Sequence, residues 1–261
     1  MDEAVELTFL GTGTSAGVPM IGCDCAVCRS DDPRDRRSRP SALIASRGVN
    51  LLVDTAPELR LQCLACGVKR VDAVAFTHAH ADHIMGLDDV RRFNAISGRA
   101  IDAWAAPNAH AILHRCFGYA FSGPAADVKA FRPHLLRRDI DGPFEVGPMR
   151  VEPIPLLHGD LEVLGFRVGR LAYCTDVSRV PEASYALLEG LDVLVIDGLQ
   201  YQKHPTHLTI DEAVEVSARI GARETWLTHI AHGVSHAKAE RRLPAGVRLA
   251  YDGLKVGTLR A

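Results

Sequence analysis

Three things are scarce or missing in these 261 residues, and each absence removes a class of function. An excess of charge of one sign is the first: 30 Lys and Arg stand against 32 Asp and Glu, a formal net charge of −2. A chain so near neutrality offers no electrostatic case for wrapping an extended nucleic acid, although a local patch could hold a small anion. Long apolar runs are the second. Stretches such as Leu191 to Ile196 are strand-sized, well short of the roughly 20 residues a membrane crossing needs. The third is a basic, then apolar, leader. Met1-Asp2-Glu3-Ala4-Val5 is acidic and enters a strand-like stretch directly, so a cytoplasmic protein without a membrane partner is expected.

Two familiar catalytic loops are also not read here. Gly11-Thr12-Gly13-Thr14-Ser15-Ala16-Gly17 lacks the Gly-x-Gly-x-x-Gly spacing, and no Gly-Lys-Ser/Thr follows, so it is not treated as a nucleotide loop. Its glycines are expected to let backbone approach a metal site closely. No serine nucleophile elbow is read, and covalent acyl transfer is not expected. Seven cysteines are an odd number for a chain large enough to need no staples, and reduced thiols are expected.

What is present reads as one compact α/β domain over residues 1–261, with ordinary globular usage of 47% hydrophobic and 24% charged residues. Glu6 to Leu10 reads as a first strand, and residues 42–45 and 50–54 as a hairpin around Arg47-Gly48. The long irregular segment at about 11–40 should be pinned to something. Its arginines Arg34, Arg36, Arg37 and Arg39 could supply phosphate affinity, but with Asp31, Asp32 and Asp35 nearby they read first as a solvated loop. Thr55-Ala56-Pro57-Glu58 and Thr209-Ile210-Asp211-Glu212 both have capping-box spacing. Strands are expected at 72–76, 101–105, 150–154, 161–168, 171–174, 193–197 and 224–227, helix or helical turns at 84–93, and helices near 107–116 and 209–220. Glycine and proline interrupt every periodicity from Phe117 to Pro148, a candidate cover for the active-site mouth and a candidate self-interface for a homodimer. Two β-rich halves with appended helices suggest a four-layer α/β/β/α sandwich.

The densest chemistry lies in Thr77-His78-Ala79-His80-Ala81-Asp82-His83, directly after an apolar strand. His78 and His80 sit two apart and can point the same way from an extended segment, while Asp82 and His83 follow on a turn. Imidazoles and carboxylates suit zinc, manganese or iron, and ligand identity does not separate these ions. His158, Asp176 and His229 each lie just beyond an apolar stretch. A two-metal centre wants about six protein ligands with one carboxylate between the ions, and these three complete that count if Asp176 is the bridge. Cys23-x-Cys25-x-x-Cys28 offers three thiolates to one soft ion, but a structural zinc site needs a fourth ligand that spacing does not identify. Asp54, closing a strand, is a candidate to orient a metal-binding histidine.

The pattern His78-x-His80-x-Asp82-His83, with later single His, Asp and His partners, resembles the metallo-β-lactamase fold superfamily. Gly11 to Pro19, the cysteine cluster and Leu227-Thr228-His229-Ile230-Ala231-His232 further resemble the branch of the phosphoribosyl 1,2-cyclic phosphate phosphodiesterases, called PhnP-like. The likeness spans essentially the whole chain. It implies one cation on His78, His80 and His158, another on Asp82, His83 and His229, and Asp176 between them. It also implies a structural zinc on Cys23, Cys25, Cys28 and His232, with His236 as the alternative fourth ligand. His207 is favoured over His204 as the group that contacts the phosphate or protonates the leaving oxygen, beside Asp82 and Asp176 as catalytic residues.

The expected activity is hydrolysis of a small cyclic phosphodiester, such as phosphoribosyl 1,2-cyclic phosphate or a 2',3'-cyclic nucleotide, by a hydroxide shared between two divalent cations (Mn2+, Zn2+ or Fe). Alternatives are a tRNA 3'-end endonuclease, a thioester or lactam hydrolase on the same fold, and a phosphosugar or nucleotide sensor with little turnover.

Overall fold

The computed structural model describes residues 4–121 and 132–259. Strands β1 (Glu6–Gly11), β2 (Ser41–Ser46), β3 (Val49–Val53), β4 (Ala73–Ala75), β5 (Ile101–Ala105) and β6 (Leu135–Asp139) form one sheet in that order. Strands β7 (Phe144–Val146), β8 (Met149–His158), β9 (Leu161–Val168), β10 (Leu171–Cys174), β11 (Val193–Asp197), β12 (Glu224–Thr228) and β13 (Val247–Leu249) form the second, again in chain order. The last strand, β14 (Lys255–Gly257), returns to pair antiparallel with β1.

Three apolar interfaces make this a four-layer α/β/β/α sandwich, and the alternation within single strands builds them. In β3, Val49, Leu51 and Val53 face the core between the sheets, while Leu52 faces the outer core. In β11, Val193 and Val195 face inward, and Leu194 and Ile196 outward. Strands buried on both faces read as continuous apolar runs, which is why Leu191 to Ile196 has no polar gap except Asp192. Phe9, Phe166 and Tyr173 fill the central interface.

Helices α1 (Leu59–Ala65), α2 (Ala81–Ile84), α3 (Arg91–Ser97) and α4 (Pro107–Phe117) cover the first sheet through Leu59, Ile84, Phe93 and Leu113. The second sheet packs against α6 (Ile210–Ile220) and α7 (His236–Glu240) through Ile210, Ala213 and Ala239, with α5 (Glu182–Tyr185) nearby. Helix α6 starts as its sequence predicts. The Thr209 hydroxyl accepts the Glu212 N–H, the Glu212 carboxylate accepts the Thr209 N–H, and Gly221 in the left-handed region ends the helix.

Thr55 does not cap α1. The helix begins at Leu59, the Thr55 hydroxyl donates to the Ile84 carbonyl (3.2 Å), and Glu58 pairs with Arg39. Long-range partners outcompete the local cap. The glycine- and proline-rich stretch from Phe117 to Pro148 contains strands β6 and β7; its central residues, 122–131, lie outside the described residues, and with them the expected mouth cover and self-interface.

The segment expected to be a solvated arginine loop is one at Arg36, which is exposed, and at Arg34, which pairs with Asp32 at the surface, but Arg37 makes a clasp. Arg37 is fully buried and pairs with Asp35 (2.9 Å), while its guanidinium also donates to the carbonyls of Ala231 and Val234. Asp35 accepts the His236 N–H (2.7 Å). A buried cation needs such a full set of acceptors; Asp35 and the Arg34 carbonyl supply the local ones, and the distant 231–234 segment supplies the rest.

Candidate metal centre

The side chains singled out in the sequence converge at one end of the sandwich, where strands finish. Asp54 follows β3, the run from Thr77 to His83 follows β4, His158 ends β8, Asp176 follows β10, Asp197 ends β11 and His229 follows β12. Strands β10, β11 and β12 are parallel and in register, with Cys174 beside Ile196 and Asp197 beside Thr228, so the residues just beyond them become neighbours. A Leu164 N–H donated to the Thr77 carbonyl (3.0 Å) ties the two sheets together at this point.

The backbone is unusual here. Of the four non-glycine residues with positive φ among the described residues, three are Asp54 (61°), Asp176 (57°) and His229 (59°). Such conformations cost on the order of 1 kcal/mol or more each and persist where the surroundings enforce them.

Two groups of possible ligand atoms share one carboxylate. His78, His80, His158 and Asp176 present atoms within 4.8 Å of one another, as do Asp82, His83, Asp176 and His229. Asp176 Oδ2 lies 3.8 Å from His78 Nε2, whereas its Oδ1 lies 3.3 Å from His83 Nε2 and 3.4 Å from His229 Nε2. Asp82 Oδ2 is 3.6 Å and 3.8 Å from the same two imidazoles. Ligands at about 2.1 Å around a tetrahedral ion are about 3.4 Å apart, so both groups fit a divalent cation.

Hydrogen bonds select the imidazole tautomers. The Asp54 carboxylate accepts the Thr77 N–H (2.9 Å) and hydroxyl (2.8 Å) and the His83 Nδ1–H (2.7 Å). With its own proton committed, the Thr77 hydroxyl accepts from His78 Nδ1 (3.0 Å). His158 Nδ1 donates to the Thr206 carbonyl (2.7 Å). His83 and His158 therefore keep their Nε2 lone pairs for a cation, and His78 Nε2 lies 2.9 Å from His80 Nδ1. The Nε2 atoms of His83 and His229 are buried without a hydrogen-bond partner, which a bound cation would remedy.

Charge favours the same occupant. Burial opposes charging His229, but the Asp176 and Asp82 carboxylates outweigh it and raise the imidazole to about 9. Burial likewise opposes the Asp82 carboxylate, yet His229 and His83 hold it down at about 2. These imidazoles draw protons into a buried negative well, the place a divalent cation would take.

His207 is buried, not a surface residue flanking α6. Its Nδ1 donates to Asp197 Oδ2 (2.5 Å), and its ring stacks on His229 with centroids 4.7 Å apart. His204 lies beside it, 5.1 Å between centroids. Asp197 is a site residue that the sequence reading missed; Asp197, His207 and His229 form a further group close enough for a cation. Its signal was available: an Asp at the C-terminal end of a fully buried apolar strand. Ser15 is a correction of another kind. Gly13-Thr14-Ser15-Ala16-Gly17 does spell Gly-x-Ser-x-Gly, but Ser15 is exposed in a turn and not at a strand-to-helix elbow.

A second cluster lies nearby. Cys23, Cys25 and Cys28 Sγ atoms stand 3.3, 3.5 and 3.8 Å from His232 Nδ1, near the separations expected around one zinc ion. The Cys28 N–H and His232 lower the Cys25 thiol to about 6, so a thiolate is available at neutral pH. His236 is buried against Tyr251 and is not in this group. All seven cysteines are free, and Cys63, Cys66, Cys116 and Cys174 belong to neither cluster.

The 11–18 loop lies beside His229. Gly13 bridges Ile230, and the Ile230 N–H donates to the Thr12 carbonyl (2.8 Å). Its glycines also admit the neighbouring chain: a Cβ at Gly11 would sit 2.0 Å from the Arg39 carbonyl oxygen, and one at Gly13 2.6 Å from that of Arg37.

Two groups of potential cation ligands sharing a carboxylate, at one end of a four-layer sandwich, define a metal-dependent hydrolase architecture. Residues 49–230 match the beta-lactamase superfamily domain. A crystal structure of a diphosphatase from the PhnP family superimposes with a TM-score of 0.91 at 42% identity, over 98% of this chain and 97% of that one. An octanoyltransferase of Porphyromonas gingivalis is 36% identical over 251 residues, 95% of this chain and 50% of that protein, so the chain spans about half that relative's length. A ribonuclease Z of Bradyrhizobium sp. is 26% identical over 291 residues, covering 86% of this chain and 89% of that protein. The chain belongs to the beta-lactamase superfamily, and within it is closely related to the PhnP-like branch. Among the described residues, no helix is long and apolar enough to cross a membrane.

Proposed function

We propose that this chain is a single-domain, cytoplasmic, metal-dependent phosphodiesterase that hydrolyses a small cyclic phosphodiester, such as phosphoribosyl 1,2-cyclic phosphate or a 2',3'-cyclic nucleotide. The observation that carries the reading is the Asp176 carboxylate, whose two oxygens face different imidazole groups. In this reading His78, His80 and His158 hold one divalent cation and Asp82, His83 and His229 the other, with Mn2+, Zn2+ or Fe as candidates. Two cations so held supply an activated water and stabilise charge developing on phosphoryl oxygens.

The protein's own groups do the rest. Asp54, Thr77 and the Thr206 carbonyl fix ring orientations. Asp197 sets the His207 ring, leaving its other nitrogen to contact the phosphate or to pass a proton to the leaving oxygen. Cys23, Cys25, Cys28 and His232 hold a structural zinc that clamps the loop at about 11–40 beside the site. The near-neutral charge supports a small phosphorylated substrate over extended nucleic acid.

A second reading, hydrolysis of a diphosphate, is favoured by the 42% identity to a PhnP-family diphosphatase. Both reactions place attack at phosphorus and ask the same of the site. The test is steady-state hydrolysis of phosphoribosyl 1,2-cyclic phosphate, 2',3'-cyclic nucleotides and a nucleoside diphosphate sugar by manganese-loaded protein, with products identified by phosphorus NMR and Asp176→Ala as control. Asp176-dependent turnover of the cyclic esters is expected. Preference for the diphosphate would install the second reading, and no Asp176-dependent turnover of any of them would overturn both.

A further inference from the structure

The residues just behind the metal centre are more polar than packing alone requires. Continuing the parallel register of β10, β11 and β12 by one residue sets Thr175, Asp197 and Thr228 side by side, with Thr175 and Thr228 immediately preceding Asp176 and His229. Asp197 serves His207, whereas Thr175 has no part in the site as described so far. Its hydroxyl is fully buried and donates to Asp176 Oδ1 (3.0 Å). That oxygen is the one 3.3 Å from His83 Nε2 and 3.4 Å from His229 Nε2, while Oδ2 faces His78. A hydrogen bond on one oxygen fixes the rotation of the whole carboxylate, and with it which imidazole group each oxygen meets.

Tyr173, two residues earlier on β10, faces the core between the sheets. Its cross-strand neighbour on β9 is Phe166, and both rings are fully buried in that core. Phe166 shows that packing here asks only for an apolar ring. The Tyr173 O–H is nevertheless buried without a hydrogen bond of ordinary geometry among the described residues, although Thr175 bears on it as a hydrogen-bonding neighbour. Burial, and then the Asp54 and Asp176 carboxylates, hold the phenol well above its usual range, so it keeps its proton and remains a donor. The Thr175 hydroxyl gives its only proton to Asp176, and its lone pairs remain free to accept one. The first sheet uses the same device: the Thr77 hydroxyl donates to Asp54 and accepts from His78 Nδ1.

We infer that Tyr173 and Thr175 are positioning residues for the cation pair: the phenol donates to the Thr175 hydroxyl, which donates to Asp176 Oδ1 and holds the shared carboxylate turned between the two imidazole groups. This role rests on the two-cation reading proposed above. Groups that hydrogen-bond a ligating carboxylate tune cation affinity without touching the ion.

The test is manganese binding to Thr175→Val, Thr175→Ser and Tyr173→Phe, followed by calorimetry and by electron paramagnetic resonance, in which two manganese ions sharing a carboxylate give an exchange-coupled signal. Valine keeps the shape of threonine without the donor, and serine keeps the donor. Thr175→Val should weaken binding of one of the two ions about 10- to 100-fold and alter the coupled signal, and Thr175→Ser should restore both. Tyr173→Phe should weaken the same ion about threefold to tenfold. If valine does not fold at this position, Tyr173→Phe, which removes a single oxygen, decides on the same signal. The inference is overturned if Thr175→Val holds and couples both ions as the wild type does, if Thr175→Ser is as weak as valine, or if Tyr173→Phe changes nothing. A wild-type protein with no coupled pair would overturn the two-cation reading and this role with it, whereas a wild-type pair left unchanged by these substitutions overturns the role alone.

Discussion

The two ligand clusters, one rich in carboxylates and one in cysteines, are built by opposite means. The first takes its side chains from the ends of both sheets, buries nearly all of them, and holds three residues in left-handed conformations. The second takes three thiols from a single irregular loop and one imidazole from the segment after β12, and most of it is only partly buried. The contrast teaches where rigidity comes from. Strand ends of both sheets position the carboxylate cluster. The cysteine loop owes its position to three attachments: its own cluster, the buried Arg37–Asp35 clasp, and Asp252, which accepts from the backbone and hydroxyl of both Thr12 and Ser38.

The sharpest way to break this comparison is Asp176→Ala. Removing the shared carboxylate should lower turnover about 1000-fold or more and cost at least one bound cation per chain, with the circular dichroism spectrum unchanged. Metal analysis beside the rate assay checks both. Next in size is Arg37→Met, which leaves Asp35 buried without its cation. It should cost about 3 kcal/mol of stability in urea unfolding. Chelating the ion from the cysteine cluster should leave the loop docked in wild type but release it in Arg37→Met, a difference amide hydrogen exchange across residues 11–40 would register.

Asp54→Asn keeps the shape but weakens the acceptor for His83 Nδ1, and should reduce cation affinity about 10- to 100-fold without altering the cysteine cluster. The smallest effect is a pH dependence. His229 without a cation is raised to about 9, so below that pH a proton competes for its Nε2. Cation affinity at that group should rise by up to about tenfold per pH unit toward pH 9 and flatten above it, with proton release on binding measurable by calorimetry in buffers of different ionisation enthalpy.

The layers were legible because alternation within β2, β3 and β11 repeats the same inward and outward division that the sheets use. The end-of-strand positions of His78, His158, Asp176 and His229 were legible for a related reason: a polar ligand type directly after an apolar strand is visible locally. What stayed hidden depends on distant partners. Thr55 has the spelling of a cap yet bonds to the His83–Ile84 turn, and Arg37 looks like a solvated arginine until residues 231–234 are brought against it. Strands β6, β7, β13 and β14 are short and lie at or next to sheet edges, so neighbours decide them more than propensity does. Asp197 could have been found by the rule that found Asp176, but no histidine motif adjoins it in sequence.

The central claim is that one carboxylate stands between two cations. Anomalous diffraction from crystals grown with manganese tests it most directly. The account predicts two manganese peaks flanking the Asp176 carboxylate, one near His78, His80 and His158 and one near Asp82, His83 and His229, and a separate zinc peak among Cys23, Cys25, Cys28 and His232. A single peak at the carboxylate cluster, or two peaks that do not share Asp176, would contradict it.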